Sequence, residues 1–310
     1  TSGEFDYGSW EDAFFMPRPC MLKSDGTVDY YLKVSDYTKK EDGTASDVAN
    51  TAYAGNAMME WGQDGYRLYW KIVPDTNNDG WTFVVANASV LNCDPWNHYD
   101  ESNNINRHFY MAIFCGSYLN GKLRSLSGQI VMTNENRSTE INRARANNTT
   151  SAVIWDTEVY ADRILLQMLC VLIGKSTDTQ ETFGYGVCKE TNTGPIAQGT
   201  MNNKGMFFGK SDQTSGVKVF GIENFWGNIS RSIRGLINAN GTVKAKITHG
   251  TQDGSTASDY NTDGTGYISI GSIGGQSGGY IREMTIKEYG LFPKTIDGPL
   301  QDEAVRSFIF

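Results

Sequence analysis

Several things are scarce in this chain, and each scarcity removes a class of function. The longest apolar run covers only Ile164 to Ile173, about half of the ~20 residues a spanning helix needs. No secretory signal pattern opens the chain. Thr1 stands where an initiator Met would, so the chain is expected to be processed or cut from a longer protein. The five cysteines, Cys20, Cys93, Cys115, Cys170 and Cys188, are widely spaced and include no CxxC pair. That argues against a zinc site and for assembly in a reducing cytoplasm. Cys115 and Cys170 sit in apolar runs and are expected to be buried thiols. Three histidines, His98, His108 and His249, have no i, i+4 partner, so HExxH is missing. GxSxG, the P-loop and a strand-following GxGxxG are missing too. No catalytic constellation emerges.

Charge is also sparse. Charged residues make up 20% of the chain and the net charge is −8. Such a surface repels phosphate backbones, so no nucleic-acid partner is expected. The nearest basic group, Arg137, Arg143 and Arg145, reads as a solvated loop or short helix.

What the chain has in quantity is glycine (34) and aromatic residues (7 Trp, 16 Tyr, 14 Phe). That composition fits a strand- and loop-rich protein with ample material for a core. Pro17 and Pro19 set an extended piece. Val28, Tyr30, Leu32 and Val34 alternate as a strand, as do Leu68, Trp70 and Ile72. Trp81 to Val85 is a third strand, and together these read as an antiparallel meander. Residues 36–50 read as a polar loop. Phe109 to Cys115 reads as a central strand, and Leu123 to Met132 as a further one. Asp156 to Gly174 reads as a helix apolar around most of its girth, capped by Asp156 or Thr157 and closed by Gly174. Tyr267 to Ile270 and Ile281 to Tyr289 read as late strands.

The stretch from Gly216 to Ile247 reads as strand, helix, strand, tight turn, strand. Ile222, Phe225, Trp226, Ile229 and Ile233 recur at helical spacing. Gly235 is placed to end that helix. Asn240-Gly241, between Leu236–Ala239 and Thr242–Thr248, is a two-residue hairpin signal. Phe225 and Trp226 are expected in the core, with Glu223 on the helix surface. A sugar-binding cleft around Glu223 is the alternative.

One local pattern occurs twice. Asp75, Asn77 and Asp79 before Gly80, and Asp259, Asn261 and Asp263 before Gly264, both read D-x-N-x-D-G. Alternating oxygens with glycine sixth can wrap calcium. Position twelve, which should be Glu, is Ala86 or Ile270, and Asp-Asn-Gly clusters are ordinary turn composition. Calcium is thus the one candidate cofactor.

Several long stretches resemble a family of bacteriophage and prophage tail proteins with a C-type-lectin-like fold. That family is related in architecture to the phage tropism determinants diversified by retroelements. The stretches are PCMLKSDGTVDYYL (Pro19 to Leu32), DGTASDVANTAYAGNAMMEW (Asp42 to Trp61), HFYMAIFCG (His108 to Gly116) and KLRSLSG (Lys122 to Gly128). WDTEVYADRILLQMLCVLIGKSTDTQ (Trp155 to Gln180), NNKGMFFG (Asn202 to Gly209) and the run from Val217 to Thr256 complete them. The resemblance implies an α+β, C-type-lectin-like domain, with two helices packed on twisted antiparallel sheets and long loops. It implies a virion location at a tail or fibre, assembly in the bacterial cytoplasm, and a homo-oligomer, usually a trimer. Its expected partners are other virion proteins and a bacterial cell-surface receptor, glycan or protein.

The corresponding division is 1–15 as entry segment, 16–293 as lectin-like domain and 294–310 as C-terminal extension. Calcium-lectin EPN, QPD and WND motifs are missing. The family continues into a Tyr-, Asn- and Ser-rich segment where this chain reads IDGPLQDEAVRSFIF, so no receptor-contacting residue carries over. The expected role is non-enzymatic host recognition. A purely structural or adaptor role in the virion, and a carbohydrate-active enzyme, are the alternatives.

Overall fold

The computed structural model describes residues 2–62, 68–75, 77, 80–88, 108–150, 153–189, 194–229, 231–239, 241–246, 260–272, 280–287 and 290–297. In chain order, β1 is Ser2–Glu4, β2 Arg18–Lys23, β3 Val28–Lys33, β4 Asp36–Lys40 and β5 Gly55–Trp61. A ribbon of β6 (Tyr69–Pro74) and β7 (Trp81–Ala86) follows, then β8 (Phe109–Ala112), β9 (Ser117–Leu119) and β10 (Lys122–Arg124). Three helices come next: α1 (Arg137–Arg145), α2 (Tyr160–Gly174) and α3 (Thr179–Phe183). The remaining strands are β11 (Phe208–Lys210), β12 (Lys218–Val219), β13 (Ile222–Glu223), β14 (Leu236–Ala239), β15 (Thr242–Ala245), β16 (Ile268–Ser272), β17 (Tyr280–Lys287) and β18 (Gly290–Asp297). Every ladder between them is antiparallel, so the fold is α+β with the strands dominant.

Two compact units share the chain. The first takes Thr1–Tyr66, Arg107–Thr157 and Cys170–Arg231; the second takes Arg67–Asn106, Glu158–Leu169 and Ser232–Phe310. In the first unit a five-stranded sheet runs β4-β3-β2-β5-β8 and a four-stranded sheet runs β1-β11-β12-β13. β5 is buried along its whole length, because it lies between β2 and β8 with apolar side chains on both faces. Residues 1–15 join this unit through β1, and Phe5 packs its ring 4.6 Å from that of Phe183.

The apolar centre of the first unit is aromatic. Trp61, Phe183, Phe207, Phe220 and Phe225 are essentially inaccessible. Phe207 and Phe220 meet edge-on at 4.9 Å, Trp61 and Phe220 tilted at 5.7 Å, and Phe183 and Phe207 stack at 5.6 Å, all within the centroid range that aromatic pairs favour. Trp226 is buried beside them and its indole N–H donates to the Gly184 carbonyl at 2.8 Å.

In the second unit the hairpin signal at Asn240-Gly241 is realised. Ala239 pairs with Thr242 and Leu236 with Ala245, with Gly241 at φ +84°; Asn240 itself lies outside the described residues. The first turns of α2 are held by a parallel bridge between Val159 and Arg234, and the Tyr160 N–H donates to the Arg234 carbonyl at 2.7 Å.

Several expectations are corrected. The described residues of 222–233 form no helix. Asn224, Gly227 and Asn228 all have positive φ (52°, 72° and 64°), which breaks an α-helix at each point. The helical spacing of Ile222, Phe225 and Trp226 arises because tight turns bury side chains on every side. Gly235 is left-handed at φ +81°, but it leads from the Arg234 bridge into β14 and ends no helix. Residues 36–50 are not simply a loop, since β4 begins there and Tyr37 is wholly buried. β8 stops at Ala112 and lies at the sheet edge, not its centre. Among the described residues the strands around Leu68 and Trp81 pair only with each other, so the meander is two separate sheets. Of Leu123 to Met132 only the start is strand.

α2 begins at Tyr160, four residues late, because Val159 is taken by its bridge and Asp156 by Arg145 at 3.0 Å. Its left-handed exit is Lys175 at φ +52° rather than Gly174. The helix is buried on more than one side, as expected. The short helix option for Arg137 to Arg145 is realised as α1, capped by Asn136, whose side chain accepts from the Thr139 N–H at 2.9 Å. Cys115 and Cys170 are buried and unbridged.

Trp226→Ala should lower stability by about 3–5 kcal/mol, the usual cost of emptying a large buried aromatic site. Thermal or urea unfolding checks this. Unchanged stability with loss of ligand binding would make Trp226 a recognition residue instead.

Candidate functional site

A buried, charged arrangement in the first unit lies around β12 and β13. Two residues, Phe220 and Gly221, turn the chain between them with φ of 47° and 76°. Positive φ at both central positions is the signature of a type I′ hairpin turn. A Cβ at Gly221 would collide with the Tyr37 hydroxyl and the Met59 side chain, so glycine is required there for space as well as conformation.

This tight turn puts Lys218 directly opposite Glu223. Both side chains are completely buried. They do not grip each other; they grip a third segment. The Glu223 carboxylate accepts the Gly199 N–H at 2.7 Å on one oxygen and the Met201 N–H at 2.9 Å on the other. Lys218 Nζ donates to the Met201 carbonyl at 3.0 Å and stands 3.7 Å from the Tyr37 ring centroid. Met201 therefore has its N–H held by the anion and its C=O held by the cation. The Tyr37 hydroxyl donates to the Gly221 carbonyl at 3.2 Å and so ties β4 to the same turn.

The held segment, Ile196 to Asn202, has further polar ties. The Ile196 N–H donates to Asn228 Oδ1 at 2.8 Å. Gln198 exchanges backbone bonds with Gly128 and Gln129, at 2.8 and 3.0 Å, and its side-chain oxygen accepts the Cys115 N–H at 3.2 Å. The Asn202 carbonyl accepts the Tyr37 N–H at 3.0 Å. Asn224 and Arg231 close the far side, where the Arg231 guanidinium donates to the Asn224 carbonyl and to Cys115 Sγ.

Burial decides the electrostatics. It pushes the Glu223 carboxyl above its ordinary value, and the two N–H donors and the Lys218 charge offset this only in part. It pulls Lys218 down to about 7 against the pull of Glu223 and Asp36. Tyr37 is driven well up by burial and then by the Glu223 charge. Both oxygens of the carboxylate are filled by backbone, and no solvent reaches the amine. The arrangement positions a backbone segment and is closed to substrate.

A second polar centre sits on the five-stranded sheet. Glu60 accepts the Tyr31 hydroxyl at 3.0 Å and the Tyr110 hydroxyl at 2.9 Å, above an apolar group of Cys20, Leu22 and Met58. Burial and the Glu60 charge push Tyr31 up to about 12. Arg18 stacks 3.4 Å from the centre of the Tyr31 ring and pairs with Glu41 at 2.8 Å.

The calcium candidates lie elsewhere. Asp75 and Asn77 occupy the turn between β6 and β7, where Asp75 Oδ1 accepts the Asn77 N–H at 2.9 Å. Asn261 is buried; its Oδ1 accepts the Gly264 N–H at 2.8 Å and its Nδ2 donates to the Thr265 carbonyl at 2.7 Å. Asp263 accepts the Thr265 N–H at 2.8 Å. These side chains shape their own turns. Asp79 and Asp259 lie outside the described residues. Among the described residues, no three His, Cys, Asp or Glu side chains gather as a metal site requires. No described helix is long and apolar enough to cross a membrane.

Phe225 and Trp226 are core, as expected. Glu223 is the correction: it is buried rather than on a helix surface, because the helix is replaced by turns. Lys218 went unnoticed in the sequence, lying inside an apolar run where a cation reads as the solvent-facing member of an alternation. The punctuation Gly221, Asn224, Gly227 and Asn228 was the available signal against a helix. No protein-family model, curated protein or solved structure matches the chain.

The two shifts set opposite pH slopes. A lysine held below its free value of 10.5 makes stability rise with pH from about 7 to 10.5, because the unfolded chain then binds the extra proton. A glutamate held above 4.5 makes stability fall as pH climbs from 4.5 through its folded value. Lys218→Met should flatten the alkaline rise, read as urea midpoints between pH 7 and 10. An undiminished rise in the variant would assign it to other groups.

Proposed function

We propose that the chain is a non-enzymatic tail or fibre protein of a phage virion. Its lectin-like domain would hold loops in place for recognition of a bacterial surface receptor, glycan or protein. The observation that carries this reading is where the family-resembling stretches fall. PCMLKSDGTVDYYL supplies β2 and β3, and DGTASDVANTAYAGNAMMEW runs into β5. HFYMAIFCG supplies β8 and Cys115, KLRSLSG supplies β10 and Ser127, NNKGMFFG runs into β11, and VKVFGIENFWGN is the β12–β13 hairpin with the buried turns that follow it. These motifs thus build the interior of one unit, and its buried Lys218 and Glu223 are sealed around backbone. A scaffold of that kind suits a display protein, whose contacts lie on loops. The expected oligomer, a trimer, and the neighbouring virion proteins belong to the same proposal.

Purified full-length chain should bind host cells saturably, and host surface extract should compete. Particle density should place the domain at an exposed tip. Absence of saturable binding, with the domain enclosed between other virion proteins, would replace recognition by an adaptor role. Turnover of host polysaccharide would replace it by catalysis.

A further inference from the structure

The segment from Ile196 to Asn202 is held in an unusual way. Its single deeply buried apolar side chain is Met201. The neighbouring hairpin, by contrast, buries Val217, Val219, Phe220, Ile222, Phe225 and Trp226. The segment belongs to no ladder, and its own ties are polar. The hairpin's ladder, Lys218 to Glu223 and Val219 to Ile222, is complete without it. Beyond Met201 the chain turns back, as the Lys204 N–H donates to the Met201 carbonyl at 3.1 Å, and Gly205 follows at φ +63°.

We propose that residues 196–202 form a strap that opens as its own unit over the folded hairpin, with Glu223 and Lys218 as its latch. Opening is cheap relative to unfolding for two reasons. Little apolar area is exposed, so little hydrophobic stabilisation is lost. Two buried charges also regain water, which returns several kcal/mol per ion against the lost hydrogen bonds. Stability that rests on polar ties and few buried apolar contacts belongs at the low end of a protein's local range. Opening bares Lys218, Glu223 and Asn224, which are wholly buried when the strap is closed. The charged and titratable groups facing the latch are Tyr37 and Asp36 from β4, Tyr7 acting on Tyr37, and Arg231 and Cys115 on the Asn224 side. This device does not depend on the receptor reading.

Native-state amide exchange of the full chain tests it without mutation. The Gly199 and Met201 amides should exchange through an opening with little denaturant dependence. The Glu223 and Asn224 amides, bonded to Ile113 and Val217 carbonyls, should exchange only with global unfolding. Glu223→Gln, which keeps the shape but puts an amide donor against a donor, should speed Gly199 and Met201 exchange by about 10- to 100-fold, the range for losing one or two charge-assisted bonds. The hairpin amides should stay unchanged. Equal denaturant dependence for all four amides in the wild-type chain would overturn the strap. Equal acceleration of all four in the variant, or none, would overturn the latch. If the variant does not fold, the wild-type comparison still decides.

Discussion

The interaction that fixes residues 196–202 against the folded hairpin of the first unit is a carboxylate that binds backbone in place of solvent. Glu223 spends both oxygens on the Gly199 and Met201 amides. An isolated buried carboxylate is expensive, and it persists only when its lone pairs are filled and a counter-charge is near. Two amides and Lys218 supply this. The cation opposite is itself used, against the Met201 carbonyl and the Tyr37 ring. One residue's peptide groups thus become the bridge between two charges. The consequence is positional more than energetic. Desolvation cancels much of the attraction, but the geometry permits one placement of the segment.

That placement depends on a turn of two residues. Phe220 and Gly221 hold the left-handed region together, and any longer loop would move Lys218 off the face of Glu223. Phe220 fills the aromatic centre while accepting the strain, and Gly221 leaves room for Tyr37 and Met59. Tyr37 then links β4 of the larger sheet to the same turn. The polar clamp and the aromatic core are therefore one construction. Phe207, Phe220 and Trp61 pack the apolar side, while Lys218, Glu223 and Tyr37 fix the polar side.

How much of this could be read in the residues varied with the kind of signal. Alternation around Val28 to Leu32, the apolar girth of α2 and the Asn240-Gly241 hairpin each reflect one local rule that tertiary structure did not override. The segment 222–233 failed because hydrophobic spacing counts buried positions without saying how the backbone reaches them; three left-handed residues bury the same side chains without a helix. Tyr37 was hidden by its neighbours, since a single core aromatic in a stretch of Asp, Thr and Lys looks like loop. Glu223 and Lys218 were hidden by charge. A buried charge is recognised through its partners, and those partners are backbone groups some twenty residues away, which no residue pattern reveals. The centre built by Glu60, Tyr31 and Tyr110 is of the same kind.

The burial of the pair is the claim beneath the clamp, the strap and the scaffold reading alike. It is tested most directly by following the Lys218 side-chain nitrogen and the Glu223 carboxyl carbon by NMR as pH is varied. Burial should leave the lysine titrating near 7, far below the free value of 10.5, and the glutamate titrating above 4.5. Ordinary values for both groups would mean that water reaches them, and the clamp would not exist as described.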